Sequence, residues 1–115
     1  MELNEMPDAP EEPLSLDDEG FQQAKEKYGF VVFDFWATWC PPCRMMTPIL
    51  VNLAKKHSGT IAFGKINTDE HSQTAQEFGI SAIPTFLVFK NGELVDRITG
   101  AMPEADFESR LQKLL

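Results

Sequence analysis

The sequence predicts an α/β domain: a mixed central β-sheet with helices on both faces. Three observations carry this. Strand-like and helical patterns alternate from residue 14 onward, the order that lays parallel strands side by side through crossover helices. The run Phe30-Val31-Val32-Phe33-Asp34-Phe35-Trp36-Ala37 is apolar on both faces, as a strand covered from two sides requires. Near the end, two strand patterns flank Asn91-Gly92, a strong hairpin signal, so the sheet finishes antiparallel.

The chain has 115 residues, 43% of them apolar, which suits one compact domain with a buried core. Its net charge of -8 is unevenly spread. Residues 1–20 hold eight acids and no base, whereas Phe21 onward holds ten of each. The body is thus neutral and has no basic patch for phosphates, which argues against nucleic acid as a partner. Residues 1–13 contain three prolines and five acids and read as a disordered or loosely attached solvated tail, leaving 14–115 as the domain. No apolar run approaches a membrane span, and no basic segment leads into an apolar one as in a secretory signal. The expected compartment is therefore reducing and cytoplasmic, without a membrane partner.

Taken in order, Leu14-Ser15-Leu16 reads as a short edge strand. Asp17 or Asp18 can cap a helix through Phe21, Ala24 and Lys25 to Tyr28, with Gly29 as its stop. The apolar run Phe30–Ala37 follows. Met46, Ile49, Leu50 and Leu53 form one apolar stripe of the next helix, which Pro48 should kink and Ser58-Gly59 should end. Met45 and Met46 read as packing residues of that helix. Ile61 to Asn67 is the next strand. Ser72 to Phe78 is a short helix, with Ser72 as cap and Gly79 as stop. Thr85–Lys90 and Leu94–Thr99 form the hairpin. Pro103 opens a last helix with Phe107, Leu111, Leu114 and Leu115 on its inner face.

The chemistry concentrates at Trp39-Cys40-Pro41-Pro42-Cys43-Arg44. Both cysteines of the chain lie here, two residues apart, where a strand hands over to a helix. Two cysteines cannot make a disulfide framework, so the pair reads as a redox dithiol/disulfide. A helix N-terminus presents unpaired N–H groups and the positive end of the dipole, which favours the nucleophilic thiolate. A zinc site would need four ligands, and only His57 and His71 remain, neither at ligand-like spacing. Asp34 is the other informative residue. It stands mid-strand among apolar residues, with Val32 and Trp36 as same-face neighbours, so it should be desolvated and its pKa raised.

From Leu14 to the end the sequence resembles thioredoxins. The landmarks are Asp34-Phe35-Trp36-Ala37, Trp39-Cys40-Pro41-Pro42-Cys43, Pro48, Lys65-Ile66-Asn67, Gly79-Ile80, Ile83-Pro84-Thr85, Asn91-Gly92 and Gly100-Ala101. The resemblance implies the thioredoxin fold and a general protein disulfide reductase. In that reading Cys40, exposed at the helix start, is the attacking thiolate and Cys43 the buried resolving thiol. Asp34 helps deprotonate Cys43, with Lys65 beside it. The resemblance also implies a cis bond before Pro84. Trp39, Ile83, Pro84, Gly100 and Ala101 match an apolar docking surface for protein substrates, and Trp36 matches a tryptophan packed beneath the site. No metal or organic cofactor is implied. The partners implied are disulfide-containing proteins and a thioredoxin-reductase-type electron donor, with the chain acting as a monomer.

Pro41-Pro42 and Arg44 depart from the usual Gly-Pro and Lys of thioredoxins. The string Phe35 to Arg44 also resembles exported or membrane-tethered thioredoxin-like reductases of cytochrome maturation, which carry an export segment and a mid-fold insertion. Neither is visible in this sequence. A third reading, of another class, is a binding module that uses the fold as a partner subunit. The set Cys40, Cys43, Asp34 and Pro84 argues against it.

Overall fold

A computed structural model describes residues 9–115. Five strands form one sheet in the order β1-β3-β2-β4-β5, with ranges β1 Leu14–Ser15, β2 Phe30–Trp36, β3 Ala62–Asn67, β4 Thr85–Lys90 and β5 Glu93–Thr99. β1, β3 and β2 run parallel, and β4 and β5 add antiparallel. Four helices complete the chain: α1 Asp18–Lys27, α2 Pro41–Lys56, α3 Gln73–Glu77 and α4 Glu104–Gln112. This is the mixed sheet that the alternation and the final hairpin predict. Asn91 and Gly92 both take positive φ (51° and 85°), as the tight turn requires.

β2 lies at the centre and is buried on both faces, because its two-residue period feeds two separate cores. Phe30 and Val32 point toward α2 and α4, where they join Met46, Leu50, Leu53, Phe86 and Phe107. Val31, Phe33 and Phe35 point to the α1 side, where Phe21 meets Phe33 at a centroid distance of 4.4 Å and Phe89 at 5.7 Å. Asp34 occupies the α2 face between Val32 and Trp36 and is wholly buried.

Local signals set most boundaries. Asp17 caps α1, its Oδ1 accepting from Gly20 N at 2.6 Å. Tyr28 is the C-cap rather than a helical residue: it leaves in extended backbone, so Gly29 is not needed to stop the helix. α2 begins at Pro41, before the periodic stripe, because the two prolines suit the first turn, where no N–H is required. Pro48 lies inside α2.

Three expectations need correction. Ser72 stands at the start of α3 but its side chain does not cap it. Asp18, from α1, does so instead, its Oδ1 accepting from Thr74 N (2.8 Å) and Thr74 Oγ1 (2.6 Å). Burial pushes the Asp18 carboxyl up, but these hydrogen bonds outweigh it and hold it below the ordinary value. Met46 is core, whereas Met45 is 65% exposed, because it falls outside the stripe facing the sheet. Leu115 is exposed, since α4 ends at Gln112 and the last residues no longer follow its period. The tail expectation for residues 1–8 lies outside the described residues. Of the rest, Ala9 is buried and its carbonyl accepts from Gly59 N at 2.8 Å, an attachment that composition does not reveal.

Candidate active site

The site sits where β2 ends and α2 begins. Cys40 is the N-cap of α2 in extended backbone, and its Sγ accepts a hydrogen bond from Cys43 N at 3.2 Å. The pair forms a disulfide, with the Cα atoms 5.2 Å apart. Pro41 and Pro42 occupy N1 and N2 and offer no N–H, so the amide of Cys43 is the donor that reaches the sulfur. α2 carries no acid in its first turn, and its positive end is left for the sulfur.

The disulfide packs in a small apolar cluster with Ala37, Trp36 and Ile83. Cys43 is 1% exposed, as expected of the inner cysteine. Cys40 is only 3% exposed, which corrects the expectation of an open sulfur: the Ile83 segment covers it, with the Ile83 carbonyl oxygen 3.8 Å from Sγ. In the disulfide this sulfur has no hydrogen to donate, so the approach is a contact only. The Ile83–Pro84 bond is cis, and Pro84 is buried.

Around this centre lie the other residues that the resemblance singled out. Trp39 is 65% exposed, and its indole N–H donates to Asp69 Oδ2 at 2.9 Å. Ala101 is exposed, while Ile83 and Gly100 are half-buried. Gly100, at φ 94°, donates its N–H to the Pro84 carbonyl at 2.8 Å, which binds the two loops together. An apolar cavity of about 300 Å³ opens beside Ala101, lined by Met45, Met46, Ile49, Met102 and Pro103.

On the α2 face of β2, neither carboxylate oxygen of Asp34 has a hydrogen-bond partner among the described residues. Burial pushes Asp34 up to about 7, against the opposing pull of the Lys65 ammonium. Lys65 is the register partner of Asp34 on β3. Its Nζ stands 4.5 Å from the Trp36 ring centroid and 3.4 Å from Thr47 Oγ1. Thr47 Oγ1 in turn donates to the Cys43 carbonyl at 3.5 Å. A connected series thus runs from the ammonium that acts on Asp34 to the turn that carries Cys43.

Sequence reasoning missed Asp69, Thr47 and the partner of Arg44, whose Nη1 donates to the Thr38 carbonyl at 2.9 Å and braces the segment before Cys40. Only Asp69 had a local signal: Asn67 Oδ1 accepts from Asp69 N, the self-bonding turn that Asn favours. Among the described residues, no helix is long and apolar enough to cross a membrane, and no cluster of three ligating side chains could hold a metal ion.

Comparison with known proteins bears directly on this geometry. The Thioredoxin family profile matches residues 12–113. Thioredoxin from Alicyclobacillus acidocaldarius is 41% identical over 102 residues, covering 89% of this chain and 97% of its own length. Thioredoxin 1 from Nostoc is 45% identical over 74% of this chain and 79% of its own. The chloroplastic M-type thioredoxin of Pisum sativum is 49% identical over 74% of this chain, which spans 49% of that longer protein. Among solved structures, a mutant thioredoxin from Halobacterium salinarum superposes with a TM-score of 0.85 at 29% identity, covering 91% and 92% of the two chains. A chain solved in work on thiol resolution in a yeast mitochondrial 1-Cys peroxiredoxin via glutathione/thioredoxin systems superposes with a TM-score of 0.79 at 31% identity, covering 88% and 94%. The profile spans nearly all of the described chain, and the relatives exceed 40% identity over at least 74% of it. The chain belongs to the thioredoxin family and is a thiol–disulfide oxidoreductase.

Proposed function

We propose that the chain is a general reductant of protein disulfides, with Cys40 as nucleophile and Cys43 as resolving thiol. The observation that carries this is the placement of Cys40 as N-cap of a helix whose first turn holds no acid, with Cys43 N donating to its sulfur. The same donor that contacts the disulfide stabilises a thiolate on Cys40 once the pair is reduced.

The reaction then balances in two steps. The Cys40 thiolate attacks one sulfur of a substrate disulfide, forming a Cys40–substrate bond and expelling the other substrate sulfur as a thiolate. Cys43 loses its proton to the Asp34 carboxylate and attacks Cys40 Sγ, which releases the second substrate thiolate and leaves the Cys40–Cys43 disulfide. Two electrons pass to the substrate. A carboxyl held near neutral pH is suited to accept a proton from a thiol, and Lys65 limits how far its pKa rises. Trp39, Ile83, Pro84, Gly100 and Ala101 form the docking surface, on the support of their place around the disulfide and of the bond that joins the Pro84 and Gly100 loops. Trp36 and the proline pair Pro41-Pro42 support the disulfide from beneath and from the helix side.

A reductase-type electron donor resets the pair, and protein disulfides are the substrates. A peroxiredoxin disulfide is one such class, by analogy with the yeast work above. We place the protein in a reducing, cytoplasmic setting as a monomer, on the support of a chain whose two cysteines both serve chemistry. The catalytic unit is 14–115. Removing residues 1–13 should leave the reductase rate unchanged and cost about 1 kcal/mol of stability through the lost Ala9 attachment. Urea titration alongside an insulin turbidity assay checks both.

The principal test uses the two serine variants. Cys40→Ser should abolish insulin reduction, whereas Cys43→Ser should accumulate mixed disulfides with substrate. Alkylation of the reduced protein near neutral pH that labelled Cys43 first would reverse the assignment.

A further inference from the structure

Arg97 stands on β5, at the edge of the sheet, paired in register with Leu87. Leu87 belongs to the α1-side core, so Arg97 projects to the face on which α1 and α3 lie. Its guanidinium donates through Nη1 to the Phe78 carbonyl (2.6 Å) and through Nη2 to the Gly79 carbonyl (3.0 Å). These are the carbonyls that close α3, just before the segment 80–84 that carries Ile83 and Pro84. The far end of that segment is fastened to the exit of the same strand, where Gly100 N donates to the Pro84 carbonyl. α3 itself is held at its start by Asp18. The segment against the disulfide is therefore anchored at both ends to β5 and its exit, while Ser81 and Ala82 between the anchors are exposed.

We propose that Arg97 is a positioning residue for substrate docking: by tying Phe78 and Gly79 to the sheet edge it sets where Ile83 and Pro84 stand relative to the Cys40–Cys43 disulfide. This rests on the reading of Ile83 and Pro84 as docking residues. The choice of side chain fits the task. A guanidinium fork reaches two successive carbonyls in fixed geometry, whereas an ammonium is a single point on a flexible stem. An exposed segment that must be ordered when a polypeptide docks costs binding free energy, and pre-anchoring it removes that cost. A small disulfide needs only to reach the sulfur and makes no such demand. The competing role, a stabilising charge at the end of a short helix, would alter stability alone.

The experiment measures oxidation of the reduced protein by stopped-flow tryptophan fluorescence, with insulin and with bis(2-hydroxyethyl) disulfide as oxidants. Arg97→Ala should lower the second-order rate constant for insulin about five-fold, while the small disulfide stays within about two-fold of wild type. Arg97→Lys should fall between the two. Equal losses with both oxidants, or a lowered melting temperature with an unchanged insulin-to-small-disulfide ratio, would overturn the proposal. An Ile83→Ser control separates the two levels of inference. If it lowers the ratio and Arg97→Ala does not, the role of Arg97 alone falls. If neither variant changes the ratio, the docking surface falls and Arg97 with it.

Discussion

Two helices of this protein begin in the same way and for different ends. At α1, Asp17 Oδ1 accepts from the amide three residues on, at 2.6 Å, and Asp18 and Glu19 fill the first turn with negative charge. At α2, Cys40 Sγ accepts from the amide three residues on, at 3.2 Å, and the first turn holds no acid and two prolines. The first start is electrostatically complete, because its orphan donor and its dipole are both met by fixed charge. The second is left incomplete, and under the proposed function the partner it lacks is a thiolate on Cys40 once the disulfide opens. The difference teaches that one capping geometry serves structure when the cap is a carboxylate that makes no other bond, and chemistry when the cap is a sulfur that can change its bonding.

The largest effect expected from probing this contrast lies beneath α2. Among the described residues no buried acid lies behind α1, whereas α2 has Asp34, raised from 3.8 to about 7. Between those values the unfolded chain gives up the proton that the folded protein keeps. Stability of the oxidised form therefore falls as pH rises from about 4 to 7 and levels off above, by on the order of 4 kcal/mol in all. Asp34→Asn should abolish that slope and be more stable than wild type at pH 8, while slowing resolution of the mixed disulfide. Urea titrations at pH 5 and pH 8 check the first part. A difference between variant and wild type that did not change with pH would contradict the burial cost.

Asp17→Ala tests the fixed cap. It should cost about 1 kcal/mol of stability and leave the insulin reduction rate unchanged. A fall in rate larger than the fall in stability would show that the two helix starts are not separable. A smaller effect is expected from Pro41→Gly, which returns an N–H to the reactive start and loosens the ring between the sulfurs. The added donor favours the thiolate, and the flexible ring raises the entropy lost on closing the disulfide. Both changes favour the dithiol, so the variant should be less reducing by about 20 mV, the equivalent of ~1 kcal/mol for this two-electron couple. Equilibration of both proteins with dithiothreitol measures the sign, and a more reducing variant would refute the argument.

Much of the fold was legible because its signals act over a few residues. The β2 run, the Asn91-Gly92 turn, an acidic cap at Asp17 or Asp18 and the Met46–Leu53 stripe each depend on side chains within a turn or a strand period of one another. The same locality made the Cys40/Cys43 pair readable at its helix start. Ser72 shows the limit: the residue stands in the cap position, yet the helix takes its cap from Asp18, more than fifty residues earlier, because the fold brings a carboxylate of another element to the donor. Trp39 shows it again, since its indole N–H finds Asp69 only once β3 lies beside β2.

The sequence by itself determined which segments are strands and helices, the sheet's antiparallel finish, and the seat of the redox pair. Alternation, capping and turn propensities are local free energies, and they need no knowledge of the rest of the chain. Only the tertiary structure decided how those pieces meet. It set the central position of β2, the complete burial of Asp34 between α2 and the sheet, the covering of Cys40 by the Ile83 segment, and the anchoring of that segment by Arg97. Desolvation and long-range hydrogen bonds are set by which surfaces come together, and those surfaces are contributed by residues far apart in the chain.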